Sequence, residues 1–361
     1  MKETLVGKWW SILFAVVMLG CALSMVVAPL VGIWLPEGVS THAWDVDKLF
    51  YFILAVTTFF FLLTEGLLVW FMWKYAGRYD PAKAKEVLEA DLATQPPEPM
   101  ETLQPTWFGR LMRPVLRVLN DQHRVEMAWT LVPAIILLYI AFAQVGAWVE
   151  IKYRSRMPNR ELDEASAGAG EAKGEGADSA NQVEIVAHQF GWRMRYPHPD
   201  RVEMWRHGNW KPTLGEKESP VKRDYVSFPR VKQMTDIDVV NELHTWVGQP
   251  LVIHLSTRDV IHSFNVPVMR VKQDALPGRI IPVWFTPTKS NVRLNPMTKE
   301  YEDGYNPVTG KTDSTHIWDI ACAELCGWGH YRMIGRVYVH KDYDEFLDWL
   351  RKRADAASVS K

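Results

Sequence analysis

A chain of 361 residues that is 48% hydrophobic and carries a net charge of -1 is long enough for more than one structural unit. Its balanced charge shows no bias toward nucleic acid, so a nucleic-acid-binding role is not expected. Of its three cysteines, Cys21 falls in an apolar run, which leaves Cys322 and Cys326 to be judged together.

The apolar residues are unevenly spread. Residues 9–35 and 127–149 contain no charged side chain, and residues 49–73 contain only Glu65. Each run exceeds the roughly 20 residues that cross a hydrocarbon core. Segments 41–75 and 127–150 are therefore expected to be transmembrane helices. Residues 1–40 are expected to add an N-terminal transmembrane helix, with a signal-like segment as the alternative. Lys2 and Lys8 ahead of an apolar stretch fit a signal, and Leu-Gly-Cys at 19–21 weakly resembles a lipoprotein cleavage site. Against that, the run is longer than a signal core of about 7 to 15 residues and carries Pro29.

Orientation follows from the basic residues. Lys74, Arg78, Lys83, Lys85, Arg110, Arg113, Arg117 and Arg124 lie near membrane ends in one loop, so residues 76–126 are expected to be a cytoplasmic insertion. A short basic amphipathic piece at 107–119 would lie near the headgroups. Everything after residue 149 then lies on the outer, periplasm-like face. Residues 151–182 read as a flexible linker, because 161–182 is almost entirely Glu, Ala, Gly, Ser, Asp and Lys.

From residue 183 the pattern changes to short runs rich in Val, Ile, Phe, Trp and Tyr, bounded by Pro, Gly and Asp. VEIVAHQF, PLVIHLSTRDVIHSFNVP, RIIPVWFTP, HIWDIA and MIGRVYVH read as strands of a sandwich or barrel over 183–342. Residues 197–231 and 286–315 read as long loops, and no internal repeat is apparent. The tail, 343–361, contains a helix that brings Phe346, Leu347, Trp349 and Leu350 to one side.

CAELCGWGHYRM at 322–333 packs Cys322, Cys326, His330 and Met333 into one turn between strands, a cluster of metal ligands. Thiolate with imidazole suits zinc or copper, and a thioether as weak ligand favours copper. His262, at the end of a strand in DVIHSFNVP, can project toward the same pole. A structural zinc site and a Cys322–Cys326 disulfide are the alternatives.

These residues resemble subunit II of the haem-copper cytochrome c oxidases. The dinuclear copper A motif of that family reads Cys-x-Glu-x-Cys-x-x-x-His-x-x-Met, with His-Ser-Phe or His-Ser-Trp upstream. WTLVPAIILL at 129–138, HQFGW at 188–192 and VKQDALPGR at 271–279 carry the same resemblance. It implies a cupredoxin-like Greek-key β-sandwich on the outer face, anchored by transmembrane helices in a bacterial-type inner membrane. It further implies that Cys322 and Cys326 bridge two copper ions, that His262 and Met333 complete one, and that His330 with the Glu324 carbonyl completes the other. The Glu324 side chain would face a magnesium shared with subunit I, haem would reside only in that partner, and Glu126 would lie at the mouth of a proton path.

The resemblance makes the chain the electron-accepting subunit of a terminal oxidase, with cytochrome c or a cupredoxin as donor and subunits I and III as partners. The alternatives are a copper A subunit of a nitric oxide reductase and a periplasmic copper carrier or docking module. The chain departs from the family pattern at Phe190, which stands where a tryptophan commonly receives electrons, so the expected electron-entry residues are Phe190 and Trp192. The long inserts suggest contacts within a larger respiratory assembly, and Glu65 has no assigned role.

Overall fold

The computed structural model describes residues 2–31, 34–75, 122–152, 181–207, 224 and 227–359. Most of the expected insertion (76–126) and linker (151–182), including the piece at 107–119, lies outside them. The chain forms two compact units, one of residues 1–33 and 49–146, the other of residues 34–48 and 147–361.

The first unit is helical. Helix α1 spans Lys2–Leu30, α2 spans Ala43–Tyr75 and α3 spans Gln122–Lys152. Apolar stretches of 30 residues in α2 (Ala43–Met72) and 24 residues in α3 (Glu126–Val149) are long enough to cross a membrane. The comparable stretch of α1, Ile12–Ala28, is shorter than the expected run at 9–35, and the helix stops at Leu30, ahead of Pro36. Large side chains such as Phe59, Ile135 and Phe142 face outward, as a lipid-exposed surface requires. Their polar neighbours are satisfied within the helix: Thr57 Oγ1 donates to the Ile53 carbonyl at 2.9 Å and Thr64 Oγ1 to the Phe60 carbonyl at 2.9 Å.

The second unit is a two-layer β-sandwich. One sheet has the order β3-β2-β1-β5-β8, built from β1 (Asn181–His188), β2 (Gly191–Tyr196), β3 (Ile237–Val240), β5 (Leu251–Thr257) and β8 (Ile281–Phe285). The other has the order β4-β14-β13-β6-β7, built from β4 (Glu242–Trp246), β6 (His262–Val266), β7 (Val271–Ala275), β13 (Trp318–Cys322) and β14 (Ile334–His340). The pairs β1/β5 and β4/β14 are parallel, and the remaining pairs are antiparallel.

Alternation along β1 explains the layering, since Val183, Ile185 and Ala187 are buried while Glu184, Val186 and His188 between them are partly exposed. They meet Leu243, Phe264, Ile320, Val337 and Val339 of the opposite sheet in one core. A C-terminal helix (Tyr343–Val359) caps that core with Phe346, Trp349 and Leu350.

Three boundaries differ from the sequence reading. Asn181 and Gln182, placed in the linker, are buried residues of β1 paired with Leu251 and Val252. Helix α3 begins at Gln122, inside the expected insertion. The expected loop at 197–231 contains α4 (Pro199–His207), whose Arg201 and Trp205 both bond Asp224. Arg201 and Arg195 also share the buried Asp236 carboxylate.

The loop at 286–315 holds two small hairpins, β9–β10 (Arg293–Leu294 with Tyr301–Glu302) and β11–β12 (Tyr305–Asn306 with Lys311–Thr312). In each, an asparagine side chain accepts from the backbone two and three residues on: Asn295 from Met297 and Thr298, Asn306 from Val308 and Thr309. Asn-Pro-Met-Thr and Asn-Pro-Val-Thr are thus a repeated turn, too short to register as a sequence repeat.

Candidate metal centre

The six expected donors come from three places in the fold. His262 opens β6, Cys322 closes β13, and the loop to β14 supplies Glu324, Cys326, His330 and Met333. Because β13 pairs with β6, Cys322 sits opposite Phe264 and close to His262. Cys322 Sγ lies 3.8 Å from His262 Nδ1, 3.8 Å from Cys326 Sγ and 3.2 Å from the Glu324 carbonyl oxygen. Cys326 Sγ lies 3.6 Å from His330 Nδ1 and 3.8 Å from Met333 Sδ. The ligand atoms of His262, Cys322 and Cys326 all lie within 4.8 Å of one another.

Both thiols are free, and their 3.8 Å separation is well beyond a disulfide bond of about 2 Å. His262, Cys326 and Met333 are buried, whereas Cys322 and His330 are partly exposed and Glu324 is exposed. Burial, with the neighbouring Cys322 adding to it, pushes the Cys326 thiol up to about 11. A metal bound there must displace a proton that the bare site retains at neutral pH.

Surrounding residues orient these donors. His262 Nε2 is 2.8 Å from Asp259 Oδ1, which leaves Nδ1 directed at the sulfurs. Burial alone would raise the Asp259 carboxyl, but hydrogen bonds from His262 and from the Gln189 and Val260 backbone N–H groups hold it below the usual range. Gln189 Nε2 also donates to the Cys326 carbonyl at 2.5 Å. Gly327 adopts φ +131°, and a Cβ on Gly329 would lie 2.5 Å from the Phe190 ring, so the loop can press against Phe190 only with glycine there.

The other expected site residues are placed differently. Trp192 is fully buried, its ring 6.4 Å from that of His262 and 5.6 Å from that of Phe264, so it presents no surface to a donor. Phe190 is half-buried and meets Trp328 at 5.3 Å. The sequence reading passed over Trp328 and Asp259; Trp328 sits between two ligands, and Asp259 precedes His262 by three residues. Glu126 opens the apolar stretch of α3 with its side chain half exposed and 3.9 Å from His123, and Glu65 lies half-buried in α2.

The fold and site define a cupredoxin-like β-sandwich with a sulfur-rich candidate metal site, on a chain with two helices long and apolar enough to cross a membrane. The profile described as "Cytochrome C oxidase subunit II, periplasmic domain" matches residues 216–295, and "Cytochrome C oxidase subunit II, transmembrane domain" matches residues 110–145. Over these two stretches the chain is similar to cytochrome c oxidase subunit II. It is 29% identical over 182 residues to the alternative cytochrome c oxidase subunit 2 of Bradyrhizobium diazoefficiens, covering 50% of this chain and 54% of that protein. Thus it spans about half the length of that relative. With cytochrome c oxidase subunit 2 of Synechocystis sp. it is 23% identical over 367 residues, covering 93% of this chain and 82% of that protein. Among solved structures it is similar to the periplasmic domain of subunit II of cytochrome oxidase (CoxB) of Bradyrhizobium japonicum. That match has a TM-score of 0.31 and 18% identity over 50% of this chain and 98% of the other.

Proposed function

We propose that the chain accepts electrons from cytochrome c and delivers them to subunit I of a terminal respiratory oxidase, where oxygen is reduced to water and protons are pumped. The observation that carries this reading is the convergence of two thiols, two imidazoles, a thioether and a backbone carbonyl on one pole of the sandwich. A closed structural zinc site takes about four donors, so six donors around two sulfurs fit a pair of copper ions better.

In this reading Cys322 and Cys326, together with His262, Met333, His330 and the Glu324 carbonyl, would hold the copper pair. When bound, such a pair supplies a one-electron relay shared between two metals. The chain's own residues keep that relay rigid. Asp259 fixes the His262 ring, Gln189 ties down the loop through the Cys326 carbonyl, and the burial of Met333 and Cys326 excludes water. Little then has to move when one electron arrives.

The Glu324 side chain, exposed on the loop, is assigned to a magnesium shared with subunit I, and Glu126 to the mouth of a proton path. Haem belongs to the partner, and subunit III and a larger respiratory assembly are the further partners. The protein sits in a bacterial-type inner membrane with its copper domain outward.

Metal analysis and EPR of the purified protein test the reading. Two coppers per chain with a delocalised mixed-valence signal are expected. One zinc and no visible colour would overturn it.

A further inference from the structure

We infer that Trp328 is the surface residue at which the electron donor docks and hands over its electron, and that the donor is a soluble c-type cytochrome presenting its haem edge through an apolar rim. The inference rests on the electron-accepting role proposed above and names the contact which that role requires.

The metal loop carries an unusual surface. Leu325, Trp328 and Tyr331 are 77%, 73% and 75% exposed, although they alternate with the ligands Cys326, His330 and Met333. Single exposed apolar residues are ordinary, but three large ones within one short loop make a patch of the kind that marks an interaction site. The charged residues of the same loop are Glu324 and Arg332, one of each sign. A loop with one charge of each sign adds no net charge to steer a partner, so desolvation of its aromatic faces supplies the attraction.

Trp328 is also held in place. The Arg332 guanidinium lies 4.3 Å from its ring centroid, and the Phe190 ring meets it edge-on at 5.3 Å. The absence of side chains at Gly327 and Gly329 lets Phe190 approach the loop this closely. A fixed indole loses little entropy when a partner covers it, which suits a contact that must be both specific and brief.

Its position in the chain completes the argument. Trp328 is separated from Cys326 only by Gly327 and from His330 only by Gly329, so short covalent paths lead to two donors. Trp192 cannot serve as the contact because it is fully buried, and Phe190 lies half-buried beside Trp328.

The test uses the full chain in its assembled oxidase, with Trp328→Ala, Trp328→Phe and Phe190→Ala. Reduced soluble cytochrome c is mixed with each in stopped flow, and binding of the oxidised cytochrome is measured by calorimetry. A reduced blue-copper protein serves as a second donor, and a small-molecule reductant gives a rate that needs no docking.

Trp328→Ala should lower both the second-order reduction rate and the binding constant for cytochrome c by about tenfold or more. The small-molecule rate and the EPR signal should stay unchanged. Trp328→Phe should recover part of the loss, and raising the salt concentration should alter the parent rate by less than about threefold. Unaltered binding and rate in Trp328→Ala would overturn the inference, as would an equal loss with the small reductant. Efficient reduction by the blue-copper protein alone would overturn the choice of partner. A parent protein without copper would instead remove the electron-accepting reading itself, and metal analysis separates that outcome from the others.

Discussion

His262 Nε2 lies 2.8 Å from Asp259 Oδ1, while its Nδ1 faces Cys322 Sγ at 3.8 Å. A carboxylate that already accepts two backbone N–H groups thus sets the tautomer and rotation of a buried ligand. Asp259→Ala should weaken metal binding by about 10- to 100-fold, since the ring loses the partner that orients it. Chelator competition followed at the visible copper bands measures this, and an unchanged affinity would show that packing alone holds the ring.

Met333 and Cys326 should behave differently when replaced. A thioether is a weak ligand, so Met333→Leu should shift the reduction potential while copper stays bound. Cys326→Ser removes one of the two thiols proposed to hold the copper pair and should abolish the dinuclear EPR signal. Loss of both coppers in Met333→Leu would contradict the assignment of roles.

Gly329→Ala tests the fit between the metal loop and Phe190. The new Cβ would lie 2.5 Å from the Phe190 ring, so the ring or the loop must shift, at a cost of about 1–3 kcal/mol. Chemical denaturation should show a smaller loss when Phe190→Ala is already present, because the clash is then gone. Additive losses would mean that the two residues are not coupled.

The buried charge network around α4 should be costly to break. Asp236 receives Arg195 Nη1 and Arg201 Nη1, each at 2.6 Å. Asp236→Ala would remove the buried carboxylate that the two guanidinium groups share, and a loss of about 3–5 kcal/mol is expected in urea unfolding. A change within experimental error would mean that Glu184 and Asp224, which also bond these arginines, suffice to compensate.

A histidine pair remote from the metal ligands should set the acid limit of the domain. His244 Nδ1 and His340 Nε2 are 3.0 Å apart, and the His244 ring is stacked on Tyr338 and Trp349. Burial, reinforced by Arg353, holds His244 well below its usual value; burial, reinforced by His244, does the same to His340. Glu242 faces His244 at 3.8 Å, and Asp342 and Asp348 act on His340, yet none of them reverses the shift.

Both groups are therefore neutral in the folded state but take up protons in the unfolded chain below about pH 6.5. Their stability is complete above that pH and is lost as pH falls, by up to about 1.4 kcal/mol per unit for each. His340→Gln should flatten the slope between pH 7 and 5 relative to the parent in urea titrations. An identical slope would mean that other groups control it.

Sequence and fold contributed differently to what is known of this protein. The membrane helices were legible because spanning a bilayer demands a long apolar run, whatever surrounds it, as in residues 49–73 and 127–149. The candidate metal loop was legible because four side-chain donors lie within twelve consecutive residues, 322–333, and His262 stands at a strand end. The strands of the sandwich showed in their alternation, with Val183, Ile185 and Ala187 on one face.

Exposure could not be read the same way, because it depends on which surfaces two distant segments cover in each other. The sequence reading offered Trp192 as a contact for the donor and passed over Trp328, yet packing of the two sheets buries the first, while the loop at 322–333 leaves the second at the surface. Helix α4 took the place of an expected loop because Arg201 and Trp205 reach Asp224, and Arg201 reaches Asp236, across intervening chain. The short turn between β13 and β14 brought the sulfur ligands together, whereas the pairing of β13 with β6 placed His262, and with it Asp259, beside them.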